Sequence, residues 1–116
     1  MFNFEKLEVW QKSVAYAGLI YRISRGFPAD ERFGLTNQIR RAAVSIASNI
    51  AEGSSRPRPD FARFVGYASG SLAEVVTQAT IARNEGMIDE PTFREIYGTG
   101  DAIGRMLSGL RSSLGD

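Results

Sequence analysis

The sequence has no cysteine and no histidine. The first absence removes disulfides, thiolate nucleophiles and sulfur-ligated metals. The second removes the commonest general base and the imidazole metal ligand. Long apolar runs are also missing, since no stretch approaches the roughly 20 residues that a membrane-spanning helix needs. Glu5, Lys6, Glu8 and Lys12 interrupt the region where a signal peptide would carry its apolar core. The expectation is a cytoplasmic protein with no membrane segment, no cofactor and no metal site. Two-carboxylate catalysis needs paired acids in a cleft, and di-iron bundles use Glu-x-x-His pairs. Glu52 and Glu74 have neighbours that explain them structurally, so no catalytic residue is assigned.

Lysine is scarce as well: arginine supplies twelve of the fourteen cations, and it suits fixed contacts with carboxylate or phosphate better than lysine does. The net charge of +1 is unevenly placed, with ten Lys/Arg against six Asp/Glu in residues 1–63 and four against seven in residues 64–116. Two readings stay open: salt bridging between helices, or a nucleic-acid footprint, for which a sequence pI of 8.1 is only modestly basic. A chain of 116 residues fits a single domain over 1–116.

The most structured stretch runs from Gln38 to Gly53. Leu35, Ile39, Ala42, Ile46 and Ile50 fall on one helix face, beside a polar stripe of Gln38, Arg41, Ser45, Ser48, Asn49 and Glu52. Alanines between them admit a close neighbour, so the stripe is expected to meet polar partners on another helix. A first helix is predicted from residue 4 to about 25. It carries two apolar stripes, Leu7, Trp10, Val14, Ala17, Tyr21 and Val9, Tyr16, Ile20, Ile23. Two stripes on one helix of a small domain predict a second burial surface, and Val9, Tyr16, Ile20 and Ile23 are the candidates for contact with another copy. Gly26 and Pro28 end the helix, with Gly26 as the C′ residue and Phe27 tucked against the bundle end. Helix two starts near Ala29 or after Gly34, with Thr36 or Asn37 as a local cap.

Ser54 to Pro59 forms a short connection, and Pro59 and Asp60 suit the first turn of helix three. Arg56, Arg58 and Arg63, interleaved with Phe61 and Phe64, are the candidate phosphate contacts; a solvated loop with arginines over a bundle end is the alternative. Helix three carries the heptad Phe61, Val65, Ala68, Leu72, Val75, Ala79, Ala82. In an antiparallel hairpin Arg41 is expected level with Ser71 and Gln38 with Glu74, which makes Arg41–Glu74 a candidate ion pair. Gly66, Gly70 and Ala73 form a strip open to close helix approach. Gly86 stops helix three. Asp89 caps helix four, and Ile88 with Phe93 has the spacing of a hydrophobic staple. Helix four buries Phe93, Ile96, Ile103, Leu107, Leu110 and Leu114. Its glycines cost about 1 kcal/mol each against alanine, so it is expected to be the least stable helix, kinked near Gly98-Thr99-Gly100. The predicted fold is all-α, an up-down-up-down antiparallel four-helix bundle.

These residues also carry a resemblance. Phe4 to Lys12, Phe27-Pro28 with Glu31, Gly34-Leu35-Thr36, Gln38 to Ile46, Ser48 to Gly53, Gly70 to Glu74 and Met106 to Leu110 resemble the four-helix bundle family associated with intervening sequences in bacterial 23S ribosomal RNA genes. The resemblance implies an up-down bundle assembled as a homopentameric barrel. It also reaches a related branch, the accessory variability proteins of diversity-generating retroelements, which it implies to be basic pentamers binding nucleic acid and a reverse transcriptase. Ala47 stands where the family often has proline, and the near-neutral charge departs from the basic branch. The expected function is therefore a non-enzymatic homo-oligomer associated with RNA or DNA. The alternative is a scaffold whose partner is another protein.

Overall fold

The computed structural model describes residues 1–115. A 3₁₀ turn at Asn3–Lys6 leads into α1 (Glu8–Ser24); a second, Ala29–Glu31, precedes α2 (Leu35–Ser54), followed by α3 (Arg58–Asn84) and α4 (Glu90–Ser113). Among the described residues, helices adjacent in sequence pack on one another, and α4 closes against α1. Short connections and the cross-helix pairings described below run consecutive helices antiparallel. The result is an up-down-up-down bundle measuring 43 × 22 × 20 Å.

The core follows the predicted heptad of α3 and the apolar face of α4, with Val65, Val75, Ile96, Ile103 and Leu107 fully enclosed. Gly86 ends α3 as expected: at φ 77° it turns the chain so that Met87 N–H donates to Ala82 O at 2.8 Å. Asp89 caps α4 by accepting from Thr92 N–H at 2.9 Å, and Phe93 is buried beside half-buried Ile88. The Arg83 guanidinium lies 4.0 Å above the Phe93 ring, sealing this α3–α4 end.

Two glycines make room for neighbours. A Cβ on Gly53 would sit 2.6 Å from Phe64 Cβ, so the end of α2 reaches α3 only without a side chain there. A Cβ on Gly100 would lie 2.7 Å from the Tyr16 hydroxyl, which crosses from α1 to donate to Ile96 O at 3.0 Å. Burial raises the Tyr16 pKa far above its ordinary value and keeps this donor protonated.

Several expectations change. Helix one begins as a 3₁₀ turn, because Glu5 accepts from Phe2 N–H at 2.7 Å and tightens the start. Gly26 does not adopt a left-handed conformation, and α1 ends in a tight turn with Gly26 N–H donating to Ile23 O. Neither Thr36 nor Asn37 caps α2; Glu31 accepts from Leu35 N–H at 3.0 Å instead. Helix α4 continues unbroken through Gly98-Thr99-Gly100. Gly70 and Ala73 are exposed, with nothing within 4 Å of a Cβ on Gly70.

The largest correction concerns α1. Val9, Tyr16 and Ile20 lie in the chain's own core, and Ile23 is half-buried against it. Their stripe packs on α2 and α4 and is not available to another copy. The outward stripe is the other one, with Val14 45% and Tyr21 40% exposed and Trp10 half-buried. Helix α1 thus has one apolar stripe in the core and one turned outward, and they are the reverse of the expected assignment.

Candidate functional site

The loop arginines are exposed but engaged. Arg56 pairs with Glu52 at 2.9 Å and lies 4.9 Å over the Phe64 ring. Arg63 pairs with Asp60 at 3.2 Å and covers the same ring at 5.5 Å. Arg58 donates to Ser113 O at 2.9 Å, tying the start of α3 to the end of α4. Exposed ion pairs contribute only about 0–1 kcal/mol, yet they place a carboxylate beside two of the three predicted phosphate contacts.

The polar seam between α2 and α3 is smaller than predicted and shifted by about one turn. Ser71, at the level expected for Arg41, donates to Ser45 Oγ at 2.9 Å; Asn49 Nδ2 donates to the Ser45 carbonyl and hydroxyl at 2.8 and 2.9 Å. The three-residue turn Ser55–Pro57 and the Gly53–Phe64 contact set this register. Glu52 is drawn to Arg56 and takes no part in the seam. Gln38, Arg41 and Glu74 line a groove of about 350 Å³ beyond the serines without forming the Arg41–Glu74 ion pair. The Gln78 Oε1 atom is buried in that groove with no hydrogen-bond partner among the described residues.

A second, larger groove was not singled out by the sequence reading. It lies between the end of α1, the turn before α2 and the first half of α2, and it has a volume of about 700 Å³. Arg32, Phe33, Arg40, Arg41 and Tyr21 line it, together with Thr36, Asn37 and Ser48. Phe33 is 87% exposed, with the Arg32 guanidinium 5.5 Å from its ring. Arg40 is held in place: Nε donates to Ser24 Oγ at 2.7 Å, and the guanidinium lies 4.7 Å over the Tyr21 ring. Among the described residues none of Arg32, Arg40 and Arg41 forms an ion pair. The nearest acid in sequence, Glu31, is occupied by Leu35 N–H, and the first turn of α2 carries no acidic residue. One signal for this groove was present in the sequence: residues 32–51 contain three arginines and no Asp or Glu.

Beside it, sharing Val44 and Ser48, an apolar groove of about 410 Å³ runs between α1 and α2, lined by Phe4, Trp10, Val14, Ala17, Ala47 and Ala51. Among the described residues no cluster of three carboxylates is placed to hold a metal ion, and no helix is long and apolar enough to cross a membrane.

The sequence model for 23S rRNA-intervening sequence proteins matches residues 5–109. The chain belongs to the 23S rRNA-intervening sequence protein family. The match spans all four helices, from the first 3₁₀ turn into the last turns of α4, so the arginine groove and the apolar groove both lie on the family domain. No curated protein matches this family member. Among solved structures it is similar to a protein of the S23 ribosomal protein family from Bacteroides thetaiotaomicron, itself of unknown function. The two share 22% identity and a TM-score of 0.82, over 89% of this chain and 97% of that one. At this identity the likeness supports the bundle fold alone.

Proposed function

We propose that this member of the 23S rRNA-intervening sequence protein family is a non-enzymatic, homo-oligomeric bundle that associates with nucleic acid. The observation that carries the reading is the α1–α2 groove, where Arg32, Arg40 and Arg41 stand together without a carboxylate partner among the described residues. Uncompensated arginines suit a polyanion, and their effect multiplies when copies assemble around a symmetry axis. Self-association is supported by the apolar groove next to it, where Val14 and Val44 remain 45% and 43% exposed. A second copy is its proposed occupant, and the pentamer implied by the family resemblance is the proposed stoichiometry. The test is native mass spectrometry of nuclease-treated protein, followed by RNA and DNA binding across a salt series. The expected result is a ring-sized mass and binding that falls steeply with added salt. A single-chain mass, or no binding at low ionic strength, would remove the corresponding half of the reading.

A second reading, a scaffold for another protein, is favoured by Tyr67, Ile81 and Tyr97, which are 50%, 46% and 54% exposed on α3 and α4. A defined protein partner that survives nuclease treatment, with no oligonucleotide binding, would select it.

A further inference from the structure

Resting on the nucleic-acid reading, we propose that the groove at the start of α2 is a single-strand site in which one base stacks on Phe33 and the flanking phosphates are held by Arg40 and Arg41. A phenylalanine 87% exposed on a turn contributes nothing to the core. Among the described residues its ring neighbour is Arg32, at 5.5 Å. An open aromatic surface next to a guanidinium is the combination that single-strand sites use, because every base has a π-face and every linkage has a charge.

The cations suit the second half of that task. Arg40 is anchored by Ser24 and Tyr21 through Nε and one terminal nitrogen. A guanidinium carries five N–H donors, so others remain for an incoming oxygen. Holding it in advance reduces the entropy lost on binding. Arg41 is exposed on the ridge between this groove and the α2–α3 groove, where Glu74 is the nearest lining acid. Thr36 and Asn37 add hydroxyl and amide groups at the positive end of α2. The volume of about 700 Å³ lies within the roughly 300–1,000 Å³ of ordinary ligand sites.

A paired duplex cannot present a base face to Phe33 without unstacking, whereas a loop or strand can. An acidic peptide satisfies the arginines but has no regular series of flat rings. Both observations favour a single-stranded polynucleotide, with RNA and DNA as its two sources.

The test is fluorescence anisotropy of the full chain with fluorescein-labelled oligouridylate, its deoxy counterpart, a short RNA duplex and polyglutamate. The variants are Phe33→Ala, Arg41→Gln and, away from the groove on α4, Arg105→Gln. The proposal expects preference for single strands over duplex and polyglutamate. Phe33→Ala should weaken single-strand binding by about 5- to 100-fold. Arg41→Gln should lower the slope of log affinity against log salt by about 0.7, and Arg105→Gln should leave the slope unchanged and the affinity within about twofold. If the ribose strand binds more tightly than the deoxy strand, the source is RNA; the reverse assigns DNA.

Native mass and far-UV circular dichroism of each variant complete the experiment. Wild-type binding with Phe33→Ala and Arg41→Gln unchanged overturns the site and leaves the nucleic-acid reading standing. No wild-type binding at low salt overturns both. Equal binding of duplex or polyglutamate overturns the single-strand assignment. A changed subunit count in Phe33→Ala marks the groove as a contact between copies and overturns it as well.

Discussion

Helix α2 has two ends that use the same chemistry in opposite ways. At its C-terminal end arginines are spent on the protein itself: Arg56 and Arg63 each meet a carboxylate and share the ring of Phe64. At its N-terminal end Arg32 and Arg40 lie against Phe33 and Tyr21, with no ion pair among the described residues. Arginine beside an aromatic ring occurs at both, so residue type does not separate a closed end from an open one. What separates them is whether a carboxylate pairs with the guanidinium, as Glu52 and Asp60 do, or is turned to the backbone, as Glu31 is toward Leu35 N–H.

Breaking the closed end should give the largest effect. Gly53→Ala forces a methyl to within 2.6 Å of Phe64 Cβ, and overpacking of this kind costs about 1–3 kcal/mol, read as a lower urea midpoint. At the open end, Arg41→Glu should cut oligonucleotide affinity at least about tenfold, or about 1.4 kcal/mol, with the urea midpoint unchanged. Releasing the arginines of the closed end sharpens the comparison: Glu52→Gln with Asp60→Asn should raise low-salt affinity by about two- to threefold, because each exposed pair contributes under about 1 kcal/mol. Phe33→Ala should leave stability within about 0.5 kcal/mol, whereas the same change at half-buried Phe64 should be plainly destabilising.

The smallest effect concerns helix starts. The hydrogen bonds from Thr92 to Asp89 lower the Asp89 pKa below its ordinary 3.8. A depressed carboxylate pKa contributes stability that is full above the unfolded value and is lost as pH falls through the folded one. Asp89→Asn should therefore show a shallower decline of the urea midpoint below about pH 4 than wild type.

Much of this architecture is written in local spacing. The heptad of α3, the Asp89 cap and the stop at Gly86 each depend on residues within a turn or two, and each is found where the pattern puts it. Longer-range features were not legible in the same way. The stripes through Val9 and Trp10 are similar in length and apolarity, and only packing on α2 and α4 decides which turns inward. The hairpin register shifted because a three-residue turn and one glycine set how far α3 slides along α2. The arginine groove needed the turn before α2 to bring Arg32 and Phe33 over Arg40, although the acid-free run from 32 to 51 was visible.

The Tyr16 hydroxyl bond to Ile96 joins the two helices that lie farthest apart along the chain. The other three seams are between helices linked by short turns, so each can re-form locally after a fluctuation. This one depends on the first and last helices finding each other in a single axial alignment. The bundle should thus unzip there first, and amide exchange in α1 and α4 should outpace that of the central hairpin. The α2–α3 groove therefore lies on the pair that opens last, whereas the arginine and apolar grooves each have a wall on α1 and should loosen earlier.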